Sequence, residues 1–174
     1  MALEKLRKQF LLKKFQKELR LIPETRTPNA KQIHSVAILT TQELYEEIDL
    51  AELIQYNIKS VRSVQVYYFK TFRKSDTQDF KHFTEKDIDW AGKIKDVSLE
   101  SFLCNPFDLL IGYFDVRNLH LEYCALKSRA AFKIGFSKVN DKMFDLVVSE
   151  NPKNADSFIK VIKKYLELLH KIEV

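Results

Sequence analysis

Apolar side chains recur along this chain with two alternating periods, and the alternation predicts the order of its elements. Residues 3–21 are strong helix formers without Gly or Pro, and Pro23 stops the run. From Leu11 onward, Leu12, Phe15, Leu19 and Ile22 recur at three- and four-residue steps. Lys13, Lys17 and Arg20 then fall on the opposite face. The polar link 25–32 holds a second proline, so this helix (residues 1–24) reads as an appendage to a single body of residues 25–174.

In the body the period switches repeatedly. Residues 33–40 and 64–69 read as strands, and between them 42–56 carry Leu44, Ile48, Ala51 and Ile54 at helical spacing. Residues 70–79 are polar and read as a loop before a short strand at 80–83. Ser98 is placed to cap a short helix through Leu103, with Glu100 complementing its dipole. Residues 107–114 form the clearest buried strand, 119–127 a helix, and 131–136 and 144–149 two further strands. Asn154 caps a last helix to about His170, with Phe158, Ile159, Ile162, Leu166 and Leu169 inward. Apolar strands that alternate with helices need crossovers and cover on both faces. The fold predicted is α/β: a three-layer sandwich around a mostly parallel, Rossmann-like sheet, preceded by a basic amphipathic helix.

Composition narrows the chemistry. Only three glycines occur, Gly92, Gly112 and Gly135, far apart, whereas phosphate-cradling loops need several together. Cys104 and Cys124 form no CxxC pair, and the four histidines make no metal-ligand spacing, so no metal and no cofactor are expected. His120 and Glu122 match only half of the zinc-deaminase signature, and no GxSxG elbow is present. The charged start is no secretory signal, no run approaches the ~18 apolar residues of a membrane span, and the thiols read as reduced. A cytoplasmic setting is expected. Lys5, Arg7, Lys8, Lys13, Lys14, Lys17 and Arg20, set against Glu4 and Glu18, carry the whole net charge of +5.

Three groups of residues are candidates for function. In open α/β sheets ligands sit beyond the carboxyl ends of the strands, which points to Thr40, Thr41, Asp115, Arg117 and Asn118 as holders of an anionic small molecule. The plainer alternative is that Thr41 and Asn118 cap helices and Asp115 makes a turn. The segment 87–94 gathers Asp87, Asp89, Trp90 and Lys93 in a loop suited to a sugar or a base, unless Trp90 plugs the sheet edge. The basic face at Lys13, Lys17 and Arg20 suits an acidic protein partner, RNA phosphates or an anionic membrane surface, or is a solvated face of a packed helix.

Several segments together carry a resemblance: the basic N-terminal helix and residues 33–40, 83–94, 107–114, 128–137 and 144–148. Its most specific parts are Trp90, Gly92 and Lys93, and Ser128, Ala130, Phe132, Lys133 and Gly135. The chain resembles a domain-of-unknown-function family of small α/β proteins found mainly in Bacteroidetes. That resemblance implies the fold and a cytoplasmic setting but no catalytic residue. Residues 107–111, a helix, a Ser-x-Ala turn and a Lys-Ile-Gly-Phe strand are also similar to the N-terminal half of heptosyltransferase-like glycosyltransferases. A second nucleotide-sugar domain does not fit in 174 residues, so this likeness implies architecture alone. The expected function is a non-catalytic binding or assembly module, with a homodimer among its forms. The alternative is an enzyme or sensor for a phosphorylated or nucleotide-sugar-like molecule at the sheet ends.

Overall fold

A computed structural model describes residues 1–23, 31–75 and 81–173. Six strands make one sheet: β1 (Ser35–Thr41), β2 (Ser63–Phe69), β3 (His82–Phe83), β4 (Leu109–Tyr113), β5 (Phe132–Phe136) and β6 (Leu146–Val148). Their order is β3-β2-β1-β4-β5-β6 and every pairing is parallel. The expected sheet is therefore present and wholly parallel. Strand order reverses between β1 and β4, the point at which sheets of this kind hold a ligand crevice beyond the carboxyl ends of their strands.

The two-residue period of the strands sorts their side chains into two cores. Ala37, Leu39 and Leu110 face one side with α1 (Ala2–Arg20), α4 (Val97–Cys104) and α5 (Leu119–Lys127). Val36, Ile38, Leu109 and Ile111 face the other with α2 (Gln42–Glu47), α3 (Leu50–Asn57) and α6 (Ala155–Leu168). This is the three-layer sandwich that buried, continuously apolar strands require. Gly112 and Gly135 are register partners on adjacent strands. A β-carbon on Gly112 would lie 2.7 Å from the Phe144 ring, and one on Gly135 would also meet that ring. The two glycines make a notch for one aromatic ring, and none of the phosphate-cradling work that glycine does elsewhere.

Local chemistry moved several boundaries. The single helix expected over 42–56 is two, because Ile48 is extended and the Asp49 carboxylate accepts from the Glu52 N–H at 3.0 Å, starting α3 afresh. The cap of α4 is Asp96, not Ser98: its carboxylate accepts from the Leu99 N–H at 2.7 Å. Asn154 caps α6 as expected, accepting from the Ser157 N–H at 3.2 Å. Leu12 and Leu169, expected inward, are exposed, since the true core stripes are Leu11, Phe15 and Leu19 on α1 and Phe158, Ile159, Ile162 and Leu166 on α6. Most of the 25–32 link, and residues 76–80 of the expected loop and strand, lie outside the described residues.

The N-terminal helix is half in and half out of the body. Leu11, Phe15 and Leu19 join the core beside α5, and Lys127 of α5 reaches Glu18 at 3.2 Å. Residues 1–10 are all exposed.

Candidate functional site

At the switch point, β1 runs into α2 without a loop, and β4 runs into α5 through residues 114–118. The five predicted sheet-end residues lie at the ends of β1 and β4 and in the segments that leave them, and each already has a partner. The Thr40 hydroxyl is fully buried and donates to the Tyr113 carbonyl at 2.8 Å, tying β1 to β4. Thr41 accepts from the Leu44 N–H at 3.4 Å and caps α2. Asn118 accepts from the His120 and Leu121 N–H groups at 3.0 and 3.1 Å and caps α5. Asp115 receives Lys138 at 3.3 Å. Arg117 Nε lies 2.7 Å from Glu122 Oε1, whose side chain is 3% exposed while that of Arg117 is 63% exposed.

Glu122, which the sequence shows only as half of a zinc-deaminase signature, is a buried carboxylate. A buried carboxylate needs compensation. Arg117 and the Asn140 N–H, at 3.3 Å, provide it. His120, next to it on α5, stacks flat on Phe69 at 5.5 Å. Burial pushes its imidazole below the ordinary value, with Glu85 opposing and Lys8 reinforcing the shift. Burial thus favours the uncharged ring. Among the described residues no group of three or more His, Cys, Asp or Glu is placed to hold a metal.

The 87–94 loop closes on itself. Asp87 accepts from the Thr84 N–H at 2.7 Å and the Thr84 hydroxyl at 2.9 Å, and Asp89 accepts from the Lys93 N–H at 2.9 Å. Both carboxylates therefore build the loop. Gly92 takes φ +79°, which a side chain would resist, and its carbonyl accepts from the Tyr123 hydroxyl at 2.9 Å. This anchors the loop to α5, with Lys93 exposed and Trp90 at the tip. Trp90 is 55% exposed and sits edge-on to Phe10 of α1, their centroids 5.8 Å apart. The loop and the helix form one surface.

That contact exposes a pattern that the sequence held without disclosing. Leu3, Leu6, Phe10, Lys13, Lys17 and Arg20 follow one another at alternating three- and four-residue steps, so they make one stripe along α1. The stripe lies opposite the buried Leu11, Phe15 and Leu19, and all six of its residues are exposed. Its first half is apolar and its second half basic.

A protein family described as a family of unknown function, DUF6913, matches residues 7–169. The chain belongs to this family. The match runs from the second turn of α1 to the end of α6, so it takes in the half of α1 that packs on the sheet together with the Trp90 loop and the sheet-end residues. Comparison with curated proteins and with solved structures finds no match. No helix among the described residues is long and apolar enough to cross a membrane.

Proposed function

We propose that this DUF6913 chain is a non-catalytic binding module whose docking element is the outer stripe of α1 with Trp90. The observation that carries this is the exposure of Leu3, Leu6 and Phe10 beside Trp90, at 47–59% of their free surface. Large side chains exposed together mark an interaction site rather than chance, because each would otherwise lower free energy by burial. The spacing i, i+3, i+7 is that of a helix laid into an apolar groove. Lys13, Lys17 and Arg20 continue the stripe and favour an acidic rim on the partner. The partner class is therefore a protein with an acid-edged apolar groove. RNA is disfavoured, since a single exposed Trp is no platform for successive bases.

A photo-crosslinking residue in place of Phe10, in otherwise intact protein, tests this. Crosslinks to an acidic protein, abolished by Leu6→Glu, are expected. Flotation with phosphatidylserine-containing vesicles, or crosslinks mainly to RNA, would overturn the protein-docking reading.

A second reading rests on Arg117, whose guanidinium stands largely exposed before the α5 N-terminus. It makes the switch point a sensor for an anionic small molecule. A saturable thermal shift with an anionic metabolite, absent in Arg117→Ala, would support it; a broad panel without shift would end it.

A further inference from the structure

A groove of about 680 Å³ opens between the α2–α3 junction and the outer edge of β2. Among the described residues, β3 pairs with this edge only at Tyr68 and Phe69. The Tyr68 N–H points outward, donating to the Lys81 carbonyl at 3.0 Å. Val64 and Val66 share that parity, so their main-chain groups face outward into the groove as well. Ile48, Leu50, Ala51 and the two valines give it an apolar lining. The break between α2 and α3 at Ile48 and Asp49 lies in its wall.

Its rim is acidic on balance, with three carboxylates and one cation, Lys81. Residues 42–52 hold Glu43, Glu46, Glu47, Asp49 and Glu52 with no Lys, Arg or His, and Glu46, Glu47 and Asp49 border the groove itself. Glu43 is held by Lys153 at 3.5 Å, outside it. Three carboxylates against the one cation of Lys81 leave the apolar cleft net acidic, which suits an α1 stripe of three apolar residues followed by three cations. The sheet keeps the two surfaces apart in one chain: α1 packs on the face with α5, and α2 and α3 on the other.

We infer that the groove receives the α1 stripe of a second copy, so that the chain assembles head to tail. The inference rests on the reading of α1 as the docking element and names its partner. The contact is heterologous, since different patches meet, and repetition gives a ring or an open row. Opposite charges at the rim make association faster and tighter at low salt, while the apolar contacts persist when salt screens the charges.

Analytical ultracentrifugation of the full chain over a wide concentration range tests this with two surface variants. Phe10→Glu disables the stripe and leaves the groove; Glu46→Lys with Glu47→Lys disables the groove and leaves the stripe. Wild type is expected to associate with rising concentration, less so at high salt, and each variant to stay monomeric where wild type is mostly associated. An equimolar mixture of the two variants should form dimers and stop there, because one intact stripe and one intact groove remain. Trp90 emission should shift to the blue on association in wild type and in the mixture. A wild type that remains monomeric, a groove variant that still associates, or a mixture no better than its parts would each overturn head-to-tail assembly. Should wild type stay monomeric while the residue-10 crosslinker captures another acidic protein, self-assembly fails and α1 docking stands. With neither association nor crosslink, both fail.

Discussion

Asp108 holds the lower ends of β1 and β4 in register, and its removal should loosen the pair of strands that frames the switch point. One carboxylate oxygen accepts from the His34 N–H at 3.0 Å, and from the Ser35 N–H and hydroxyl, both at 2.9 Å. Lys31 meets the other oxygen at 2.8 Å. The side chain is 6% exposed, so none of these donors is easily replaced by water. Burial pushes this carboxyl up, but the bonds from Lys31, His34 and Ser35 together outweigh it and bring it from 3.8 to about 2. A depression of that size corresponds to about 2 kcal/mol. The folded value lies below the unfolded one, so the contribution is complete above pH about 4 and drains away as pH falls toward about 2.

Asp108→Ala leaves two main-chain N–H groups without an acceptor and should cost about 2–4 kcal/mol, at roughly 1–3 for each unmet group less what water recovers. Asp108→Asn keeps an oxygen for those N–H groups and loses mainly the bond to the exposed Lys31. Its expected cost is about 1 kcal/mol. Urea unfolding of the three proteins near neutral pH measures both values. Repeating it at low pH should close the gap between wild type and Asp108→Asn, since the protonated acid resembles the amide. A loss below about 1 kcal/mol for the alanine variant, or a gap between wild type and Asp108→Asn that does not change with pH, would refute the reasoning.

The other predictions concern the packing around the site. Gly135→Ala forces its methyl into the Phe144 ring and should cost about 1–3 kcal/mol; combined with Phe144→Ala the loss should be smaller than the sum, by denaturant titration. Cys104 is exposed and Cys124 fully buried, where burial first and Asp87 second push its thiol up. A disulfide-exchange reagent should therefore titrate one thiol at once and the second only on unfolding. Burial likewise raises the Tyr113 and Tyr123 phenols, whose hydroxyls donate to the carbonyls of Pro152 at 2.6 Å and Gly92 at 2.9 Å. Their folded values exceed the unfolded ones, so stability is lost as pH rises past the ordinary tyrosine range, and ultraviolet titration should show the Tyr113 and Tyr123 phenols ionising only with unfolding.

The element order was legible because strand and helix periods differ, and local burial pattern is all that such a reading needs. Helix α5 and the Asn154 cap fell where the sequence placed them, since a cap is a bond within four residues of its own backbone. By the same logic Thr41 and Asn118 were legible as caps, and both are caps. The break at Asp49 was less so, because helical spacing continues through it and only the competing cap stops the helix. The chain's composition also settled the want of a glycine-rich phosphate loop, which is a matter of counting.

Tertiary structure alone decided which residues share a surface. Trp90 and Phe10 are 80 positions apart, and nothing local to either foretells that they touch at 5.8 Å. The α1 stripe was half visible as Lys13, Lys17 and Arg20, yet its apolar half stayed hidden among hydrophobic residues that could equally have been core. Only the packing of Leu11, Phe15 and Leu19 on the sheet, which uses up one face of the helix, leaves Leu3, Leu6 and Phe10 in water. Burial of a helix face is a choice made by the surface it meets. A period marks which residues lie together, and the partner surface determines which set goes inside.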